Sequence, residues 1–213
     1  MTASIIALLV IVAIIFVATL WRLASRRQSL PCPVWLRWLV ELDNPFTKTN
    51  RAAFIVETLA LRDGMAVLDA GCGPGRLTVP LARSVAPTGH VVALDLQPGM
   101  LARAKTKTEA ASCTNVEFIA AALGDSNLPA NHFDRAVLVT VLGEIPDRAA
   151  AFAELFYALK PGGILAVVEV IFDPHFQSRK TVTGLAVSTG FRERAFFGHR
   201  LAYVMHFEKP NGD

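Results

Sequence analysis

Seven residues, Asp69-Ala70-Gly71-Cys72-Gly73-Pro74-Gly75, carry the clearest chemical pattern in this 213-residue chain. Glycine at every second position makes a turn that tolerates positive φ and lets backbone come close to a bound molecule, because no Cβ stands in the way. The apolar run ahead of it reads as a buried strand. A helix beginning near Arg76 would point free N–H groups back at the turn. Such a site suits a small cofactor with a negative end, and Asp69 adds a carboxylate able to meet a cationic amino group. A second acid, Asp95, ends the next apolar run 26 residues later, where it can accept both hydroxyls of a ribose.

Three other residues could move a proton. Glu144 lies in Thr140-Val141-Leu142-Gly143-Glu144-Ile145-Pro146. Glu169 sits inside an apolar run, Ala166 to Phe172, where burial would raise its pKa. His175, in Phe172-Asp173-Pro174-His175-Phe176, titrates near neutrality and could act as a base. Each also has a plain structural reading, as a helix-approach acid, a paired buried carboxylate and a loop or capping histidine. His199 and His206 read as structural. Cys32, Cys72 and Cys113 are odd in number and lack CxxC or Cys/His ligand spacing, which argues against a disulfide framework and against a zinc site, and no metal is expected.

The elements that position these residues follow from periodicity. Helix 48–61 precedes strand 65–69, helix 76–86, strand 90–95, helix 98–111, and strands 116–120 and 133–140. Helix 147–159 ends at the turn Lys160-Pro161-Gly162-Gly163, which opens strand 164–170. This βαβα rhythm implies a parallel sheet with helices on both faces, its ligand beyond the carboxyl ends of the strands. Helix 178–189 ends at Gly190, and runs 191–197 and 201–208 are close enough to pair as an antiparallel hairpin.

From Ile5 to Trp21 the chain is almost wholly apolar, with no charge before Arg22. About 17 to 20 residues at 1.5 Å each reach roughly 26–30 Å, close to the hydrocarbon thickness of a bilayer. Arg22, Arg26 and Arg27 follow at once, which places the N-terminus outside and the globular part on the cytoplasmic side of a single-pass membrane protein. A cleaved signal peptide is the alternative, but a basic n-region and a short apolar core are missing. Trp35, Trp38 and Leu39 form a helical stripe that either lies on the membrane interface or packs on the domain. The expected organisation is an anchor at 1–23, a juxtamembrane segment at 24–47 and a catalytic domain at 48–213. Setting aside Arg22, Arg26, Arg27 and Arg37 leaves 17 of the 21 basic residues against 18 acidic ones, so the globular part is near neutral. No basic stripe with interleaved aromatics suggests a nucleic-acid partner.

With these segments in order, the chain resembles the class I S-adenosylmethionine-dependent methyltransferases from about residue 48 to 208. Asp69 to Gly75 looks like the family's first motif, and Leu94-Asp95-Leu96-Gln97 like its ribose motif. Phe133-Asp134-Arg135-Ala136-Val137-Leu138 resembles the fourth strand, and Leu159 to Leu165 the turn before the fifth. The resemblance implies an α/β fold: a Rossmann-like, seven-stranded, mostly parallel sheet with a C-terminal antiparallel hairpin, here preceded by one transmembrane helix. It implies S-adenosylmethionine as cofactor, with Asp69 near its methionine end and Gly71, Cys72, Gly73 and Gly75 against it. Asp95 and Leu96 then take the ribose side, Met100 the adenine, and Thr140 a contact at the end of the fourth strand. Family members commonly carry Gly-Asp-Ala just after the third strand. Here the Gly124-Asp125 pair is shifted, so backbone N–H groups near Ala122 and Leu123 are expected to hold the adenine instead.

The implied catalytic candidates are His175, Glu144 and Glu169, beyond or near strand ends where the transferable methyl would lie. No Asn/Asp-Pro-Pro-Tyr follows the fourth strand, which argues against methylation of a planar base or amide nitrogen. The anchor suggests a lipophilic acceptor: a quinone precursor, a lipid headgroup, or an apolar thiol or phenol. Residues 31–50, including Phe46 and Asn50, are expected to form a lid through which it enters from the bilayer. Two rivals remain: a non-catalytic cofactor-binding membrane protein, and a nicotinamide-dependent oxidoreductase, whose GxGxxG fingerprint would need glycine where Arg76 stands.

Overall fold

The structure, a computed structural model, describes residues 47–212 throughout. Before them it describes positions 5, 6, 8–10, 12, 13, 16, 17, 19 and 20, and Cys32, Val34, Glu41 and Asp43. Strands β1 (Ala66–Ala70), β2 (His90–Asp95), β3 (Val116–Ala120), β4 (Phe133–Val139), β5 (Leu159–Val170), β6 (Arg192–His199) and β7 (Ala202–Glu208) form one sheet in the order β3-β2-β1-β4-β5-β7-β6. All pairs from β3 to β5 are parallel, and β7 is antiparallel to both β5 and β6. The chain steps outward from β1 to β3, then returns to β4 on the other side of β1. The carboxyl ends of β1 and β4 therefore flank the switch point, where such sheets open a crevice.

Helices α1 (Ala52–Thr58), α2 (Thr78–Val85), α3 (Pro98–Ala110), α4 (Arg148–Ala158) and α5 (Arg179–Thr189) cover both faces. Alternation along the strands decides which side chain meets which helix. Leu68, Leu138 and Val167 pack with Phe152 and Leu155 of α4 and Val182 of α5. Val67, Val137 and Val168 pack on the other face with Ile55 of α1 and Leu81 and Val85 of α2. Ala93 meets Leu101 and Ala104 of α3.

The expected sheet and hairpin are present, with three local differences. The helix expected over 48–61 is a 3-10 turn at Lys48–Asn50 followed by the seven-residue α1, because Arg51 is extended. The helix expected from 76 begins at Thr78, since Gly71, Gly73 and Gly75 all take left-handed φ and prolong the turn. The turn expected at 160–163 is absorbed into β5 as a bulge. Phe133 pairs with Leu159 and Arg135 with Ile164, and Gly162 takes φ +76° inside it. Lys160 Nζ holds both oxygens of Asp134 at 2.8 and 2.9 Å, which keeps the bulged segment on the sheet.

The expected anchor falls mostly on residues outside the described set, as do Trp35, Trp38, Leu39 and Phe46. The described positions between Ile5 and Leu20 are helical, and their large apolar side chains are exposed. Among the described residues, no helix is long and apolar enough to cross a membrane.

One interaction explains the displaced Gly124-Asp125 pair. Glu154 of α4 is buried, and its carboxylate accepts the N–H groups of Gly124, Asn127 and Leu128. The loop after β3 is thus wound around a helix acid, and Asp125 is left exposed. Glu154→Ala strands those three donors. We expect a loss of about 3 kcal/mol and a fall of roughly 10 °C in Tm by differential scanning calorimetry, with Asp125→Ala unchanged.

Candidate active site

The turn after β1 is bound to the end of β2 by its own backbone. Gly71 and Cys72 N–H both donate to Leu94 O, at 2.7 and 3.0 Å. Gly73 N–H donates to Asp95 Oδ2 at 2.9 Å, and Gln97 N–H to Oδ1 at 2.8 Å. Two of the glycines also answer packing demands. A Cβ on Gly71 would lie 2.5 Å from Val141, and one on Gly75 would lie 2.9 Å from the Ala104 backbone in α3. The expected close approach to a ligand is therefore joined by close approach to the protein itself.

Asp69 and Asp95 lie near the ends of the neighbouring strands β1 and β2, Asp69 in register with Ala93 and Asp95 two residues further on, both buried. Thr78 Oγ1 donates to Asp69 Oδ2 at 2.7 Å. Burial, with the Asp95 charge added, raises the Asp69 carboxyl to about 6, although Thr78 and Arg76 oppose the shift. Burial raises Asp95 too, against its two backbone N–H donors. Burial, then these two acids, pushes the Cys72 thiol far up, so it is inert as a nucleophile. Arg76 turns away from the turn to Asp43 Oδ1 at 2.9 Å and to Asn50 O at 2.6 Å.

The remaining cofactor candidates gather around this turn. Leu96 is exposed beyond the end of β2, and Met100 is buried in the first turn of α3. Ala121 N–H donates to Asp95 O at 3.2 Å, which brings Ala122 and the buried Leu123 beside Asp95. Thr140 adopts φ +54° at the exit of β4, unusual for a β-branched residue, and donates to Val168 O at 2.9 Å.

The three proton-transfer candidates come together at the ends of β4 and β5, but in different settings. Glu144 closes a 3-10 turn, Leu142–Glu144, and is partly exposed; burial, then Asp173, raises it to about 8. Glu169 is 1% exposed; its Oε2 accepts Gln177 N–H at 2.8 Å and its Oε1 has no hydrogen-bond partner among the described residues. Burial lifts it to about 8 as well. His175 is buried, its N–H donating to Asp173 Oδ1 at 2.7 Å. The two loops are clasped at Gly143, where a Cβ would lie 2.0 Å from His175 O. Arg148 donates to Leu142 O and Gly143 O, at 3.0 and 3.2 Å, and fixes the other side of that turn.

Sequence reasoning missed Asp173 and Gln97, which link these groups, and it missed Gly143 as the clasp. Asp-Pro-His was a legible turn signal for Asp173. Gln97 was legible only as the last residue of the Leu94-Asp95-Leu96-Gln97 motif, and nothing local pointed to Gly143.

Residues 67–163 match a family model described as a methyltransferase domain. The chain is 34% identical over 128 residues to the ubiquinone/menaquinone biosynthesis C-methyltransferase of Shewanella halifaxensis, covering 60% of this chain and 51% of that protein. It is 28% identical over 148 residues to the demethylmenaquinone methyltransferase of Listeria welshimeri, covering 65% and 63%. The chain thus spans about half of the first relative's length and under two thirds of the second's. A solved S-adenosylmethionine-dependent methyltransferase of Aquifex aeolicus superposes with a TM-score of 0.74 at 20% identity, over 83% of this chain and 98% of that one. The fold is shared with that solved methyltransferase, and residues 67–163 match the methyltransferase-domain model.

The buried acids set a pH dependence of stability. A carboxyl raised from 4.5 to about 8 favours folding fully below 4.5, and the benefit is lost as pH rises through 8. Glu169→Gln keeps the acceptor for Gln177 and removes the ionisation. Tm measured across that window is therefore expected to fall less steeply in Glu169→Gln than in the native chain.

Proposed function

We propose that this chain transfers the methyl group of S-adenosylmethionine to a ring carbon of a membrane-soluble quinone precursor. The observation that carries the reading is the pair of buried carboxylates, Asp69 and Asp95, set against a glycine turn of left-handed φ. Both carboxylates are raised by burial. A ligand with a cationic amino group and a sulfonium relieves that strain, whereas a pyrophosphate would add to it. Asp95 holds the ribose side, Asp69 the methionine side, and the loop at Ala122 and Leu123 the adenine.

When bound, the cofactor supplies a methyl group on a sulfonium, a good leaving group, so alignment accounts for much of the rate. Glu144 is the candidate nearest solvent and takes the proton that a ring hydroxyl must lose. Glu169 and His175 lie deeper and hold the loop that carries Asp173. The two quinone-pathway relatives favour this acceptor class over a lipid headgroup. The exposed apolar positions from Ile5 to Leu20, followed by Arg22, Arg26 and Arg27, support an anchor at 1–23 with the catalytic domain on the cytoplasmic side.

The test is to incubate the full chain in lipid vesicles with methyl-labelled cofactor and demethylmenaquinone pre-reduced with dithionite to its quinol, which carries the ring hydroxyls, then identify the product by mass spectrometry. Asp95→Asn is expected to raise the cofactor Kd by about 10–100-fold in calorimetry. Turnover should rise with pH until Glu144 is ionised, near 8, and lose that rise in Glu144→Gln. Cofactor binding without turnover would favour a non-catalytic binding protein, and binding of NADH instead would favour the oxidoreductase.

A further inference from the structure

At the opposite end of the sheet from the glycine turn, two histidines meet. His90 opens β2 and His132 stands just before β4; 42 positions separate them in the chain, yet their Nε2 atoms lie 3.1 Å apart. β1 runs between those strands. At a strand spacing of about 4.8 Å the two backbones stand roughly 10 Å apart, and the rings reach toward each other across the start of β1. Both backbones are held in place. His90 N–H donates to Met65 O at 3.1 Å, and His132 N–H to Ala158 O at 2.8 Å. The His132 ring also meets Phe133 edge-on, with centroids 4.9 Å apart. Both histidines are half-buried, so an ion and its waters can reach the pair.

A contact of this kind holds the makings of a ligand pair. A hydrogen bond between two Nε2 atoms needs one ring to donate its N–H and the other to present a lone pair, with that second ring's proton on Nδ1. Moving the first ring's proton to its own Nδ1 leaves two lone pairs facing one another at no change of charge. Zinc–imidazole bonds of about 2.0–2.1 Å at a tetrahedral angle set the two nitrogens roughly 3.3–3.4 Å apart, close to the separation already present. The rings are unstacked, with centroids 5.2 Å apart and planes at 56°, so nitrogen edges meet rather than faces. The neighbouring carboxylate, Asp134, is engaged elsewhere, by Ala66 N–H and by Lys160 Nζ. Among the described residues no group of three or more His, Cys, Asp or Glu could hold a metal ion. The protein therefore offers two nitrogens here and leaves the other positions to water. Imidazole ligands without carboxylates suit zinc, nickel or copper rather than magnesium or calcium.

We propose that His90 and His132 bind one divalent ion of the zinc, nickel or copper class through both Nε2 atoms, with water completing its coordination. The ion staples the start of β2 to the start of β4 across β1, and so ties together strands that do not pair directly. His90 and Asp95 are the first and last residues of β2, about 17 Å apart at 3.3 Å per residue. The site is therefore structural, stands apart from the cofactor turn, and does not depend on the methyltransferase reading. Sequence spacing gave no sign of it, because ligand motifs are read between near neighbours and these two residues meet only through the sheet.

The experiment uses the full chain without an affinity tag, in vesicles of neutral phosphatidylcholine, stripped of metal with a chelator. It is titrated with Zn2+ alone while Tm is followed by scanning calorimetry. An ion that binds only the folded state is expected to raise Tm by about 4 °C at ten times its Kd. His90→Gln and His132→Gln each leave a single imidazole and should lose most of that rise. No rise in the native chain overturns the site, and so does an equal rise in the native chain and both variants, which would place the ion elsewhere. Where a variant fails to fold, the native chain loaded with one equivalent of Cu2+ supplies the reading by electron spin-echo spectroscopy. The expected spectrum is that of two coordinated imidazoles; one imidazole, or none, overturns the proposal.

Discussion

The structure turns on burying two carboxylates at neighbouring strand ends. Asp69 and Asp95 are buried, and charged groups are costly there unless something else satisfies them. The chain meets much of that cost locally, with Thr78 on one acid and the Gly73 and Gln97 N–H groups on the other. Those donors are available only because the glycine turn crosses from β1 onto the end of β2, bonded there to Leu94 O. The turn, the start of α2 and the start of α3 are therefore one unit. What the protein leaves uncompensated is negative charge, which a ligand carrying a sulfonium and an amino group would offset.

The acceptor side follows the same logic with looser pairing. Glu144, Glu169 and Asp173 converge because the loops after β4 and β5 are clasped at Gly143, with no room for a side chain. Burial, with the Asp173 charge added, raises both glutamates to about 8, so near neutrality they are largely protonated. An acidic, partly protonated end fits the neutral, proton-releasing acceptor proposed above. It is poorly suited to one that carries phosphate.

Much of this was legible from local pattern. Strand and helix order, the hairpin and the αL cap at Gly190 follow from apolar period and turn residues, which act over a few neighbours. The errors fall where a distant partner overrides local preference. Lys160 to Gly163 reads as a turn, yet Asp134 and the β4 ladder hold it as a bulge within β5. The loop at Gly124 looks displaced by two residues, and only Glu154, 30 positions on, explains its path. Gly71 and Gly75 read as ligand-facing glycines, but their neighbours Val141 and Ala104 impose them as well.

By itself, the sequence determined the alternation of elements, the glycine turn and the two acids that end β1 and β2, because periodicity and backbone permissiveness are written in adjacent residues. Tertiary structure alone decided which acids face one another, how far burial shifts them, and that Cys32 spans from Gln97 to Glu144. Those outcomes depend on contacts between residues up to 112 positions apart, and desolvation is a property of the assembled surroundings rather than of any local pattern.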